Sequence, residues 1–238
     1  MADPPPRPCD VPRQFTLFQH PLPNLAKQIA GSGPARIVAI GSSSTEGTGG
    51  IVPYPYRLEM ALRKRFRDRV PRPMIDVLNR GKGGEEAGPE LKRFDTDVIA
   101  EGPSLVIWQV GTNAVFRNND FKIEDTAEKI AAGLSQLHGR PMDVVLMDSQ
   151  YAPAVTGDDK IDLAERMMAL IAEAADKAGV NLFRRFELMR HWRVDLDIAF
   201  DDMTWNGDGL NLHQNDWSTV CVTQALDGAI AGAMKGIV

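Results

Sequence analysis

The chain has 238 residues, of which 43% are hydrophobic, and its formal net charge at pH 7 is −5. This length suits one α/β domain or two small ones, and we expect a single domain with one core. The small net charge and the scattered lysines and arginines argue against nucleic acid as a partner. No apolar run approaches the roughly 20 residues that cross a bilayer, so we expect a chain that does not span a membrane.

The first 34 residues differ in composition from the rest. They are rich in proline and lack periodicity until residues 22–29, so we predict an N-terminal arm over 1–34 with one short helix, followed by a domain over 35–238. Residues 1–6 suggest a trimmed start whose native leader is missing. Cys9 and Cys221 are the only cysteines. They permit one disulfide in an oxidising compartment or two reduced thiols elsewhere.

Short apolar runs alternate with segments of helical spacing along the rest of the chain. The predicted strands cover residues 36–40, 74–78, 105–109, 144–147 and 180–183. The clearest helices cover 58–66, 127–137 and 163–174, and a last helix covers about 217–234. Gly139 and Gly179 follow two of these helices as C-terminal stops. The alternation predicts an α/β fold with a five-stranded parallel sheet, helices on both faces and flavodoxin-like strand order.

Three loops of this predicted fold carry polar side chains suited to acyl transfer. They are residues 41–47, 110–113 and 208–213. The first two follow apolar runs, so both are expected at the carboxyl edge of the sheet, where ligands bind in such folds. Together the loops supply a serine, an amide donor and a histidine, which is the set that acyl transfer to a serine requires.

Nucleotide binding fits the glycine-rich loop less well. A P-loop needs a lysine followed by serine or threonine after its last glycine, and no lysine occurs between Gly47 and Arg57. The pattern G-x-G-x-x-G is also missing, both here and at residues 81–84. Taken singly, the serine-rich loop is equally typical of a helix cap, and Asn113 of an ordinary turn.

In combination, the segments closely resemble the sequence blocks of the SGNH hydrolases, also called GDSL esterases and lipases. Residues 41–47 are similar to the first block, Gly-Asp-Ser-x-x-x-Gly, in a register that makes Ser43 the nucleophile and places Ser42 where relatives carry Asp. Residues 79–84 resemble the second block, which implies an oxyanion-hole N–H from Gly84. Residues 111–114 resemble the third, which implies that Asn113 donates its side-chain amide to the same oxyanion, beside the Ser43 N–H.

The last block of the family identifies His213, just before the final helix, as the base. His20, His138 and His191 are the competing histidines. The usual spacing in the family is Asp-x-x-His, whereas Leu210 stands three residues before His213 and Asp208 stands five before it. We interpret Asp208 as the group that orients the imidazole, with three other carboxylates as alternatives. These alternatives are Asp201, Asp202 and Asp216.

The resemblance, which covers about residues 36–230, implies the SGNH hydrolase fold and a serine esterase that cleaves carboxylic esters through an acyl-enzyme. No metal or cofactor is implied. Because no long apolar lid is evident, we expect short acyl groups such as acetyl on a small molecule or carbohydrate. Tyr151 and His191 are the predicted substrate-binding residues. The resemblance to exported bacterial members, with the trimmed start, suggests a periplasmic or secreted protein.

Two other functions remain open from the sequence. The same residues could transfer an acetyl group to a glycan instead of water, which would make the protein an O-acetyltransferase. The altered spacing before His213 could instead mark a carbohydrate-binding relative without catalytic activity. The physiological substrate and the oligomeric state are left undetermined.

Overall fold

A computed structural model describes residues 7–31, 33–157 and 159–236. Its main sheet contains five strands: β1 (Ala35–Gly41), β2 (Ile75–Gly81), β3 (Leu105–Gln109), β4 (Asp143–Met147) and β5 (Asn181–Phe183). All neighbouring pairs are parallel, in the order β2-β1-β3-β4-β5. This is the flavodoxin-like order, and the chain changes direction across the sheet between β1 and β3.

Ten α-helices surround the sheet in the described residues. They are α1 (Pro23–Ala30), α2 (Ser43–Glu46), α3 (Tyr54–Arg65), α4 (Ala87–Leu91), α5 (Thr112–Phe116), α6 (Ile123–Leu137), α7 (Pro153–Thr156), α8 (Ile161–Ala178), α9 (Arg185–Val194) and α10 (Asp216–Ala233). Short 3₁₀-helices cover Arg13–Thr16 and Phe200–Asp202, and a π-helical turn covers Asp95–Ile99.

The sheet is buried on both faces, which explains why its strands are continuous apolar runs. Along β1, Ile37 and Ala39 pack with α1, α3, α9 and α10, whereas Val38 and Ile40 pack with α4, α6 and α8. Successive residues of a strand point to opposite faces, so two hydrophobic clusters form on either side of one sheet. The predicted three-layer α/β fold is confirmed.

Three strand ends lie side by side at the carboxyl edge of the sheet. β1 ends at Gly41 and leads into α2, while the neighbouring β2 and β3 lead into residues 82–86 and 110–111. A separate antiparallel hairpin pairs β6 (Thr204–Trp205) with β7 (His213–Gln214). The hairpin brings the segment before α10 to the same edge.

The N-terminal arm packs on this domain. Leu22, Leu25 and Ile29 are buried in the cluster that also contains residues of α3 and α10, so the arm shares the core. Cys9 and Cys221 form a disulfide, which selects one of the two states that the sequence left open. The division at residue 34 stays a prediction, and the proposed trimmed start at residues 1–6 lies outside the described residues.

None of the helices in the described ranges combines the length and the apolar character that a bilayer crossing requires.

Candidate active site

Ser43 is the first residue of α2, and one residue, Ser42, separates it from the buried end of β1. Its hydroxyl lies 2.9 Å from His213 Nε2. The hydroxyls of its neighbours have other partners: Ser42 Oγ donates to Gln109 Oε1 at 3.0 Å, and Ser44 Oγ donates to Gln150 Oε1 at 3.1 Å. Of the three consecutive serines, Ser43 is therefore the one whose hydroxyl contacts an imidazole.

The β6–β7 hairpin accounts for the unusual spacing between Asp208 and His213. His213 pairs with Trp205 across the hairpin, and Asp208 lies in the connecting loop. Two loop residues, Gly209 (φ 69°) and Asn211 (φ 51°), adopt the left-handed conformation that tightens a loop. Asp208 Oδ2 thereby lies 2.9 Å from His213 Nδ1, although five positions separate the residues.

Asp208 is itself fixed by the loop, because its Oδ1 accepts a hydrogen bond from Leu210 N at 2.9 Å. The other carboxylates that the sequence allowed are engaged elsewhere. Asp201 accepts from Asn206, Asp202 pairs with Arg7 and Asp216 pairs with Arg57. The imidazole of His213 is 7% exposed and the carboxylate of Asp208 is 22% exposed, so the pair is largely shielded from solvent.

Within the described residues, the imidazoles of the other three histidines have no hydrogen bond to a serine hydroxyl. The backbone of His20 bonds to Asn181, and His138 caps the end of α6. His191, on α9, lies between Asp195 and Asp10 at 2.7 and 3.1 Å. Burial lowers the pKa of His191, but its hydrogen bonds to the two carboxylates together outweigh burial and raise the pKa above its ordinary value.

The sequence predicted three N–H donors for an oxyanion, on Ser43, Gly84 and Asn113, and their present hydrogen-bond partners are known. In the described part of the chain, neither Ser43 N nor Gly84 N has a hydrogen-bond acceptor. Gly84 has a φ of 76°, which favours glycine, whereas the preceding Gly83 donates its N–H to Glu46 Oε2 at 2.7 Å. Asn113 uses one amide hydrogen on Glu85 O at 2.6 Å and keeps the second.

A buried carboxylate joins the two loops that carry these donors. Glu86 accepts hydrogen bonds from Ala87 N and Gly111 N on Oε1 and from Ala114 N on Oε2, at 2.8–3.0 Å. Burial raises the pKa of Glu86, and these N–H donors oppose the increase. The sequence analysis missed this residue, since an acidic side chain in a loop usually indicates a solvated position.

A second buried carboxyl lies one helical turn further along. Glu90 accepts from Trp108 Nε1 at 2.7 Å and is fully buried. Burial and the negative charge of Glu86 raise the pKa of Glu90 well above its ordinary value. Burial and repulsion by Glu86 therefore both favour the neutral form of Glu90, while Glu86 accepts the hydrogen bonds of the loop amides.

A small cleft opens beside Ser43 on the side of the loop between α2 and α3. Its lining residues are Ser43, Ser44, Gly47, Thr48, Ile51, Pro53, Tyr54, His213, Gln214 and Thr219. The two predicted substrate-binding residues lie outside this lining. Tyr151 packs against Phe186 and Phe200, and His191 packs against Phe15.

Across residues 7–31, 33–157 and 159–236, no group of three or more His, Cys, Asp or Glu side chains is arranged to hold a metal ion. The Ser43 hydroxyl contacts the imidazole of His213, which in turn contacts the carboxylate of Asp208. Such a set supports proton transfer from a hydroxyl and stabilisation of an oxyanion.

Solved structures with the same fold include several esterases. The acetylxylan esterase Axe2 from Geobacillus stearothermophilus aligns with a TM-score of 0.67 and 16% identity, over 83% of this chain and 94% of that chain. Catalytic mutants of Axe2 at a serine, a histidine and an aspartate align over 82% of this chain and 93% of theirs, with TM-scores of 0.67–0.68. A two-domain esterase active on acetylated mannans aligns with a TM-score of 0.71 and 16% identity, over 91% of this chain and 55% of that chain.

A comparison with curated protein sequences found no match. A family model, however, matches residues 8–236, which is nearly the whole chain, under the description Non-GDSL lipase-like family. This match and the shared fold confirm the prediction of an SGNH-type hydrolase, and they agree with the predicted class of carboxylic ester hydrolase. The chain belongs to the Non-GDSL lipase-like family.

Proposed function

We propose that this protein is a serine esterase that removes acetyl groups from a carbohydrate. The observation that carries the proposal is the hydrogen-bonded series Ser43–His213–Asp208, with both bonds at 2.9 Å, beside N–H groups of Ser43 and Gly84 that have no acceptor in the described residues. The relatives described as acetylxylan and acetylmannan esterases support the choice of substrate class.

In the proposed mechanism, His213 Nε2 takes the proton of Ser43 Oγ as this oxygen attacks the acetyl carbonyl. Asp208 holds the imidazole in the tautomer with Nδ1 protonated and stabilises the imidazolium that forms. The N–H groups of Ser43, Gly84 and Asn113 stabilise the tetrahedral oxyanion. His213 then protonates the departing sugar oxygen, and a water molecule activated by the same imidazole releases acetate from Ser43.

The small cleft beside Ser43 favours a short acyl group. Pro53 and Tyr54 are among its lining residues, and Tyr54 is 2% exposed. We expect acetyl esters to be cleaved faster than octanoyl esters of the same alcohol, because the small cleft has little room for a longer chain. Comparing kcat/KM for the two esters tests this expectation.

The central experiment compares wild type with Ser43→Ala on 4-nitrophenyl acetate and on an acetylated xylo-oligosaccharide. We expect wild type to release acetate from both substrates and Ser43→Ala to lose more than about 10³-fold in kcat, because the nucleophile is removed. Ser135→Ala, which changes an exposed serine of α6, is the matched control and should equal wild type. Equal rates for wild type and Ser43→Ala, or inactivity of both, would contradict the proposal.

The same assay separates the two alternatives. An acetyltransferase would acetylate an added glycan in the presence of the acetyl donor, and mass spectrometry of the glycan detects this product. A binding protein would bind the acetylated oligosaccharide stoichiometrically without releasing acetate.

We also propose that the protein resides in an oxidising compartment, periplasmic or extracellular, since the Cys9–Cys221 disulfide is stable there.

A further inference from the structure

A buried glutamine lies under the three loops that carry the proposed catalytic groups. Gln150 follows β4 and is 0% exposed. Its side-chain amide contacts Ser44 Oγ at 3.1 Å, Thr112 Oγ1 at 3.3 Å and Leu212 O at 3.2 Å. Ser44 directly follows Ser43, Thr112 directly precedes Asn113, and Leu212 directly precedes His213. One side chain therefore contacts a sequence neighbour of each of these three residues.

The orientation of the Gln150 amide is fixed by its partners. Leu212 O can only accept a hydrogen bond, so Gln150 Nε2 must face it. Arg185 Nη2 can only donate, and it lies 2.9 Å from Gln150 Oε1. A flipped amide would place two donors together at one end and two acceptors together at the other. The amide thus has one stable orientation, in which it joins the His213 loop to the Ser43 loop.

Arg185 is in turn held by the sheet. Its guanidinium is fully buried and donates through Nε to Asp148 O, directly after β4, at 3.1 Å. Burial lowers the pKa of Arg185 to about 10, so the group remains charged at neutral pH. A buried cation in contact with Gln150 Oε1 strengthens that hydrogen bond, because charge-assisted hydrogen bonds are stronger than neutral ones.

We propose that Gln150, anchored by Arg185, is a positioning residue that sets the distance between Ser43 Oγ and His213 Nε2. This inference rests on the proposed esterase function. A shift of about 1 Å between reacting groups can cost about 100-fold in rate. Loss of the amide should therefore affect the chemical step more than substrate binding, since Gln150 is absent from the lining of the cleft.

Two variants test the proposal. Gln150→Met removes every hydrogen bond of the amide while keeping its length. Gln150→Glu keeps an acceptor oxygen for Arg185, Ser44 and Thr112 and replaces the donor that faces Leu212 O with a second carboxylate oxygen. We expect both variants to lose about 10- to 100-fold in kcat with KM within about threefold of wild type. The charge-paired Glu variant remains informative if the Met variant does not fold.

The control is Asn181→Leu. Asn181 is also a buried amide, 3% exposed, and it bonds to His20 N and His20 O at the start of β5. Its loss should lower the melting temperature and leave kcat unchanged. If Asn181→Leu lost as much kcat as the Gln150 variants, general destabilisation would explain the loss in all three variants and the proposal would be overturned.

An NMR measurement tests the positioning role of Gln150 without requiring that the protein cleave an ester. The proton between His213 Nδ1 and Asp208 should give a low-field NMR resonance, which His213→Ala assigns by its loss. We expect this resonance to shift or broaden in Gln150→Met and Gln150→Glu and to stay unchanged in Asn181→Leu. An unchanged resonance in both Gln150 variants, or kcat within threefold of wild type in an active enzyme, would overturn the proposal. A shifted resonance in a protein that cleaves no ester would retain the positioning role and reject the proposed function.

Discussion

Hydrogen bonds distinguish the three hydroxyls of Ser42–Ser44, because only that of Ser43 contacts the imidazole of His213 in the described residues. Gln109 Oε1 accepts from Ser42 N, Ser42 Oγ and Thr45 Oγ1 at 3.0–3.2 Å. This amide therefore satisfies the backbone and side chain at the position where SGNH relatives carry an aspartate. Ser42 brings a hydroxyl to this position instead of a carboxylate. That hydroxyl bonds to Gln109, whereas the hydroxyl of Ser43 bonds to His213.

Asp208 gives a test at the level of one atom. In Asp208→Asn, the amide oxygen can still accept from Leu210 N, but the amide nitrogen then faces His213 Nδ1. This arrangement favours the tautomer with Nε2 protonated, which cannot accept the proton of Ser43. We expect kcat on 4-nitrophenyl acetate to fall by about 10²- to 10⁴-fold. Asp201→Asn is the matched control, and a rate equal to wild type in Asp208→Asn would remove the orienting role.

Asn113 tests the oxyanion donors separately from the proton transfer. Asn113→Ala removes the free amide hydrogen and should lower kcat about 100-fold or more with little change in KM. It also removes the hydrogen bond to Glu85 O, so the unfolding free energy must be measured in parallel. A loss of stability without a loss of kcat would indicate that Asn113 acts only as a loop tie.

At the scale of the elements, the sequence predicted most of the sheet and the long helices because their residues are buried in regular patterns. β3 and its predicted run coincide at residues 105–109, α6 begins four residues before the predicted helix and ends with it, and α8 extends beyond its predicted helix at both ends. The helix α9 was missed because its buried positions include Arg185, so charge obscures the apolar period. The β6–β7 hairpin was missed because each strand has two residues.

The sequence likewise predicted some residues of the candidate site and missed others. Sequence similarity predicted roles for Ser43, His213, Gly84 and Asn113, each of which lies in a loop between predicted elements. The pairing of Asp208 with His213 depends on the geometry of a hairpin loop, which spacing alone does not determine. The roles of Glu86 and Gln150 could not be predicted, since they arise from contacts with residues 25–106 positions away.

Glu86 gives a test at this scale, because it joins the loop after β2 to the start of α5. In Glu86→Gln, one of the two acceptor oxygens becomes an amide nitrogen that faces a backbone N–H. We expect the unfolding free energy to fall by about 1–3 kcal/mol, since at least one buried donor loses its acceptor. Urea denaturation measures this change. Glu124→Gln, at an exposed carboxylate of α6, should stay within about 0.5 kcal/mol of wild type. Equal stability of both variants would contradict the proposed tie.

At the scale of the whole molecule, Asp148 should make stability depend on pH. Burial raises its pKa from 3.8 to about 7, while Phe186 N and the charge of Arg185 oppose the increase. Between about pH 4 and pH 7, the folded chain therefore holds a proton that the unfolded chain has released. This contribution to the unfolding free energy falls as pH rises through that window and is constant above it.

Asp148→Asn isolates this contribution, because its amide oxygen can still accept from Phe186 N. We expect the stability of the variant relative to wild type to increase from pH 4 to pH 7 and then to level off. Urea denaturation at several pH values measures the difference. A difference that is independent of pH would show that Asp148 ionises in the folded chain as it does in the unfolded chain.

The disulfide joins the N-terminal arm to α10 across 212 positions of the sequence. The arm is also held by hydrogen bonds from Trp192 Nε1 to Asp10 O at 2.6 Å and from Trp217 Nε1 to Arg7 O at 2.8 Å. Cross-linking so long a loop restricts the unfolded chain, so the double variant Cys9→Ala/Cys221→Ala should lose about 2–4 kcal/mol of unfolding free energy. Because the arm packs beside α9 and α10 and is absent from the lining of the Ser43 cleft, we expect kcat to stay within about twofold of wild type. As a control, a reductant should lower the unfolding free energy of wild type and leave that of the double variant unchanged. Equal unfolding free energies of the two proteins without reductant would show that the disulfide does not stabilise the fold.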